Sequence, residues 1–201
     1  MMSMTFTFHA IVDAIPEAMA AAMRGASWHV HPQCPDFADL ALIRMKHWTF
    51  AGQIGDGELV VARVVADELC RAFAALFAAR FPIARMTPIY HFGGDDRASM
   101  DANNCSAFNF RTIAGTDRLS QHAGGFAVDV NPVQNPWVRG DTISPPAGAA
   151  YLDREAERPG LIARPGPVTD AFDAIGWTWG GDWQEVKDYH HFQKYPRHGW
   201  T

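Results

Sequence analysis

The sequence predicts one folded domain that mixes helices with strands, and four observations lead there. Of its 201 residues, 48% are apolar and 19% charged, the composition of a globular chain rather than a disordered or fibrous one. A chain of that length can bury a sizeable core, and the length favours one domain over two. Between Val60 and Arg80 the residues Val61, Val64, Val65, Leu69, Phe73, Leu76 and Phe77 recur at helical spacing, the signature of an amphipathic helix. From Ala107 onward the texture changes to strands and turns.

Taken in order, a first helix is expected from Ile15 to Met23, opened by Pro16 near its first turn. The helix of Val60 to Arg80 follows and is stopped by Pro82. Residues 1–94 thus read as a mainly helical scaffold and residues 95–195 as the core that carries chemistry. Ala107 to Ile113 alternates as a strand does, and Gly125 to Val130 is a short apolar run closed by Asn131-Pro132. Residues 131–167, with Asn135-Pro136 and Pro145-Pro146 among their prolines, read as a long ordered loop of the kind that walls a site. A short helix near Val168 to Ile175, a Trp- and Gly-rich turn from Gly176 to Trp183, and a last strand near His190 to Gln193 complete the chain. Trp177, Trp179 and Trp183 tempt a sugar-stacking reading, but aromatics so placed more often brace a core or a site wall.

Composition also excludes classes. A net charge of −5 argues against a nucleic-acid partner, and the basic residues from Lys187 to Arg197 are mixed with acids and aromatics as in a solvated rim. Cys34, Cys70 and Cys105 are odd in number and have no Cys-x-x-Cys spacing, so neither a disulfide framework nor a cysteine metal site is expected. The apolar run near Ala18 to Met23 is too short to span a membrane, and Asp13 and Glu17 before it make a poor signal peptide. As written the chain reads as cytoplasmic, or as exported without a cleavable signal. Ser-x-x-Lys and Gly-x-Ser-x-Gly are both missing, which disfavours a serine peptidase.

Two segments carry chemistry. Ser120-Gln121-His122-Ala123-Gly124-Gly125-Phe126-Ala127-Val128-Asp129 sets a His and an Asp seven residues apart with glycines between them. On a straight strand those side chains would face opposite ways; a turn at the glycines lets them converge. Near the end, Asp188-Tyr189-His190-His191-Phe192 offers a carboxylate three residues before a His. A catalytic zinc takes three protein ligands, an open position, and a nearby carboxylate to accept a proton. The two segments together supply that set.

The pair of segments resembles the zinc D,D-peptidases of the M15 family, which include VanY-type D-alanyl-D-alanine carboxypeptidases and peptidoglycan endopeptidases of phage lysins. The fixed positions of the family signature, Ser-x-His-x-x-Gly-x-Ala-x-Asp and a later acidic residue separated by two residues from His-Phe, are present from Ser120 to Asp129 and at Asp188, His191 and Phe192. The likeness runs from about Asp95 to Tyr195. It implies Zn²⁺ on His122, Asp129 and His191, with Asp188 as general base where many relatives have Glu. His190 competes with His191, since neighbours on a strand face opposite sides; the Asp-x-x-His spacing favours His191. The resemblance also implies an Arg that holds the substrate carbonyl or the developing oxyanion. Arg111 is the candidate, with Arg97 and Arg118 as substitutes and a structural salt bridge as the alternative. Ser120 either binds substrate or caps a turn.

The fold so implied is α+β, a small antiparallel sheet carrying the zinc site with helices flanking it. The activity implied is hydrolysis of an amide bond in peptidoglycan stem peptides, as a D-Ala-D-Ala carboxypeptidase or a related endopeptidase. The alternative is a module of the same fold that binds zinc without catalysis.

Overall fold

The computed structural model describes residues 6–195; Arg197, the end of the basic stretch, lies outside them. Helices are mixed with small sheets, mostly antiparallel, and the class is α+β. Three strands, β1 (Ala10–Asp13), β2 (Leu40–Trp48) and β3 (Ile54–Ala62), make an antiparallel sheet in that order. Helix α1 (Glu17–Met23) precedes β2, and α2 (Ala66–Ala78) follows β3 after a 3₁₀ corner at Arg63–Val65.

Residues 1–94 were expected to be a mainly helical scaffold, but the described part, residues 6–94, carries the two longest strands among the described residues. The reason lies in burial. Along β2, Ala41, Ile43 and Met45 pack into the main core with α2, whereas Leu40 and Leu42 pack with Met23, Val60 and Phe108 on the other side. A strand covered on both faces loses the polar alternation by which strands are recognised. The helix expected from Val60 accordingly begins at Ala66, because Val60 and Val61 pair with Leu42 and Ala41 across the hairpin, a setting that suits β-branched residues. In α2 itself Leu69, Phe73, Leu76 and Phe77 are buried, as their spacing predicts.

A parallel pair, β4 (Arg85–Met86) and β5 (Asn104–Cys105), frames helix α3 (Asp96–Asp101), whose N-cap Asp95 accepts from the Ala98 N–H at 3.1 Å. Beyond it, Ala107 to Ile113 is extended but forms no regular strand. Its N–H groups go in turn to the Val60, His122 and Ser27 carbonyls, from Phe108, Asn109 and Phe110, so no single neighbour builds a ladder. The segment instead ties the first sheet to the turn that carries His122.

Strand β6 (Ala127–Asp129) belongs to a sheet completed by the C-terminal strands. Between them, the long loop of 131–167 contains a small hairpin, β7 (Trp137–Arg139) and β8 (Thr142–Ser144), and a 3₁₀ turn at Pro146–Tyr151. Helix α4 (Pro167–Asp173) then leads to β9 (Thr178–Trp179), β10 (Lys187–Asp188) and β11 (His191–Gln193). β11 lies between β6 and β9, and β10 pairs with β7. Phe192 stacks on Phe172 of α4 with ring centroids 4.0 Å apart. Trp177 and Trp179 are buried beside them; their indole N–H groups donate to Glu68 Oε1 and the Tyr189 carbonyl. Those two tryptophans brace the core. Among the described residues no helix is long and apolar enough to cross a membrane.

Candidate metal centre

His122 sits in a 3₁₀ turn, Gln121–Gly124, that ends on Gly125 at φ +76°. That left-handed value favours glycine, and a Cβ at Gly125 would lie 2.3 Å from the Ala62 backbone nitrogen. The turn therefore packs its backbone directly on the end of β3 and sends the chain into β6. Asp129 closes β6 directly opposite His191 on β11, and directly opposed residues of an antiparallel pair share a face. Turn and register together bring three residues that are scattered in sequence to one point.

There His122 Nε2 lies 3.2 Å from Asp129 Oδ2 and 3.2 Å from His191 Nδ1, and His191 Nδ1 lies 3.0 Å from Asp129 Oδ1. All three residues are buried, and their ligand atoms fall within 4.8 Å of one another. Four ligands about 2.1 Å from a tetrahedral ion stand about 3.4 Å apart, close to the spacing found.

The outer ring nitrogens explain which way the inner ones face. His122 Nδ1 lies 2.5 Å from the Ala107 carbonyl, and His191 Nε2 lies 2.9 Å from Gln193 Oε1. Both partners are acceptors, so each outer nitrogen carries the hydrogen and each neutral ring turns a lone pair inward. Two such lone pairs and a carboxylate facing one another repel unless a cation, a proton or a metal ion, lies between them. The titration behaviour agrees. Desolvation opposes the charge of Asp129, but His122 and His190 outweigh it and hold its pKa well below the usual carboxylate range. Burial likewise opposes protonation of His191, and the hydrogen bond and charge of Asp129 overcome it and raise its pKa. The cluster has the donor types of a metal site and can hold a metal ion.

Asp188 stands on β10, with its side chain 14% exposed, and Oδ1 lies 2.9 Å from His190 Nε2. The contact is a close approach of charges without hydrogen-bond alignment, so Oδ1 is a buried oxygen with no donor. Gly180 permits this placement, since a Cβ there would fall 2.6 Å from the Asp188 carbonyl. His190 donates from Nδ1 to the Asn135 carbonyl at 2.7 Å, and its Nε2 is 3.9 Å from Asp129 Oδ1, farther than the Nδ1 of His191. Burial disfavours its charge, but Asp188 and Asp129 prevail and bring its pKa up to about 10.

Arg111 is 28% exposed and ion-paired to Asp96 Oδ2 at 2.9 Å, while its carbonyl accepts from the Ser120 N–H. Arg97 is engaged by Asp101 on the outer side of α3. Arg111 is thus bonded through its backbone to the segment that carries His122, while Arg118 lies two residues before Ser120 and its carbonyl accepts from the Ile113 N–H. Ser120 is buried and its hydroxyl oxygen accepts from the His122 N–H at 3.3 Å, which is the capping arrangement. Sequence reasoning passed over Gln193, although a residue two places beyond His191 on a strand must share its face. It also passed over Asn135 and Gly180, which act through backbone atoms and leave no side-chain signal.

A buried His-Asp-His cluster between a 3₁₀ turn and the paired strands β6 and β11 of an α+β fold, with a carboxylate nearby, is a candidate metal centre. Residues 114–194 match the family model described as D-alanyl-D-alanine carboxypeptidase, of the M15 peptidases. The matched region contains Ser120, the three clustered residues and Asp188; Arg111 lies just before it. No curated protein and no solved structure gives a match.

Proposed function

We propose that the chain is a zinc peptidase that hydrolyses an amide bond in peptidoglycan stem peptides, as a D-Ala-D-Ala carboxypeptidase or a related endopeptidase. The observation that carries this reading is the convergence of His122 Nε2, His191 Nδ1 and the Asp129 carboxylate, with both outer ring nitrogens committed to acceptors. The M15 match supports the substrate class.

His122, Asp129 and His191 would hold the zinc ion, which would supply Lewis acidity toward the scissile carbonyl and the attacking water. The protein's own groups do the rest. Asp188 accepts the proton of the attacking water and returns it to the leaving amine nitrogen. Arg111, steered by Asp96, offers its guanidinium to the carbonyl oxygen as negative charge develops there. Ser120 keeps the turn of His122 closed. The buried cluster excludes bulk water, which strengthens each of these interactions.

Mass spectrometry of purified muropeptides after incubation with zinc-loaded protein tests the reading. Loss of one terminal D-Ala marks a carboxypeptidase, and scission within the stem marks an endopeptidase. Unchanged muropeptides in the presence of fully zinc-loaded protein would refute it and leave the non-catalytic zinc module. Asp188→Asn adds a control: zinc should stay bound while turnover is almost abolished, because an amide cannot take the proton.

A further inference from the structure

His190 lies outside the cluster of His122, Asp129 and His191, yet it is buried, with Nδ1 hydrogen-bonded and Nε2 in close contact with Asp188. Its Nδ1 is fixed on the Asn135 carbonyl at 2.7 Å. Asn135 is itself immobilised: its amide donates to the Val130, Asn131 and Gly160 carbonyls, and its Oδ1 accepts from the Ile162 N–H and from Arg154. Arg154 also lies over the Tyr189 ring, 4.4 Å from its centroid, and Tyr189 N–H donates to the Pro136 carbonyl. The loop of 131–162 thus grips the chain on both sides of His190. With Nδ1 so held, the ring has one orientation, and Nε2 stands 2.9 Å from Asp188 Oδ1 and 3.9 Å from Asp129 Oδ1.

We propose that His190 is a positioning residue for the Asp188 carboxylate: anchored on Asn135, its ring stands 2.9 Å from Asp188 Oδ1 and 3.9 Å from Asp129 Oδ1 and keeps the two carboxylates apart, leaving Asp188 Oδ2 to face the reacting water. Two carboxylates that both lie within 4 Å of one ring nitrogen repel each other, and Asp188 Oδ1 has no hydrogen-bond donor to fix it, so the ring contact sets its place. Proton transfer demands a carboxylate held within hydrogen-bond reach in one orientation, and the strut from Arg154 through Asn135 to His190 provides it. This inference rests on the proposed role of Asp188 as the base.

Two substitutions separate the functions of the two ring nitrogens. In His190→Gln the amide nitrogen reaches the place of Nε2 and keeps the contact with Asp188. In His190→Asn it reaches only the place of Nδ1, keeping Asn135 and losing Asp188. Both proteins, checked for zinc content and Tm, are assayed on a stem peptide, and the zinc-loaded His190→Asn protein is crystallised. His190→Asn should keep its zinc and a KM within about twofold of the parent while kcat falls about 10- to 100-fold, and His190→Gln should recover most of that loss. The crystals should show the Asp188 carboxylate swung away from Asp129.

Parent-like kcat in His190→Asn, equal losses in both variants, or a loss confined to KM or zinc content would overturn the proposal. If the parent protein hydrolyses no peptide, the peptidase reading fails. The crystal structure still decides the positioning claim, which an unmoved Asp188 would refute.

Discussion

Gln193→Ala tests whether hydrogen bonds around the cluster set its affinity for metal. The Gln193 carbonyl accepts from His191 Nε2 at 2.9 Å, and its amide donates to the Tyr195 hydroxyl at 2.7 Å, which fixes the orientation of the amide. Truncation leaves a buried ring N–H without a partner, at about 1 to 3 kcal/mol, and frees the ring to move its hydrogen to the inward nitrogen. The loss of such an outer partner weakens metal binding by about 10- to 100-fold, or about 1.4 to 2.8 kcal/mol at 1.4 kcal/mol per decade. The assay is competition for zinc against a chromophoric chelator at neutral pH, with circular dichroism to show that the fold persists. Gln193→Glu, which keeps an acceptor in the same place, should lose little affinity. An alanine variant that binds zinc as tightly as the parent would refute the claim that this hydrogen bond turns the His191 lone pair inward.

Replacing Arg111 with Ala should leave zinc in place and reduce kcat/KM by about 100-fold or more, the effect of losing an oxyanion donor; unchanged kinetics would limit Arg111 to its ion pair with Asp96. Gly125→Ala must adopt φ +76° and brings a methyl group to 2.3 Å from the Ala62 nitrogen. Backbone strain alone should destabilise the protein by about 1 to 3 kcal/mol, read as a lower Tm. Zinc affinity should rise with pH through the titration of His191. Asp129 raises that pKa above its ordinary value, so the proton is held more tightly and zinc must displace it. Calorimetry in buffers of different ionisation enthalpy should show proton release on binding, more of it toward acid pH.

Much of the candidate site was legible because its residues sit in two short segments whose spacing has a mechanical reason. The glycines after His122 do form the reversal that was expected of them, and His191, not His190, faces Asp129 most closely. The supporting groups were illegible for equally physical reasons. The Asn135 carbonyl reaches His190 across 55 residues of sequence, and a backbone acceptor looks the same in every residue. The first sheet was missed because covering β2 on both faces erases the period-two pattern, and Val60 and Val61 fit a helical stripe as well as a strand. Ser120 was foreseen either as a substrate contact or as a cap, and the geometry supplies the cap, on the turn of His122.

The central claim is that His122, Asp129 and His191 hold one zinc ion between them. Its most direct test is metal content by inductively coupled plasma mass spectrometry on the parent protein and on the variants His122→Ala, Asp129→Ala, His191→Ala and His190→Ala. Each purified protein is first dialysed against buffered zinc. About one zinc per chain is expected in the parent and in His190→Ala, and close to none in the other variants, since a three-ligand site rarely survives on two ligands. Zinc retained in Asp129→Ala, or lost in His190→Ala while His191→Ala keeps it, would contradict the account.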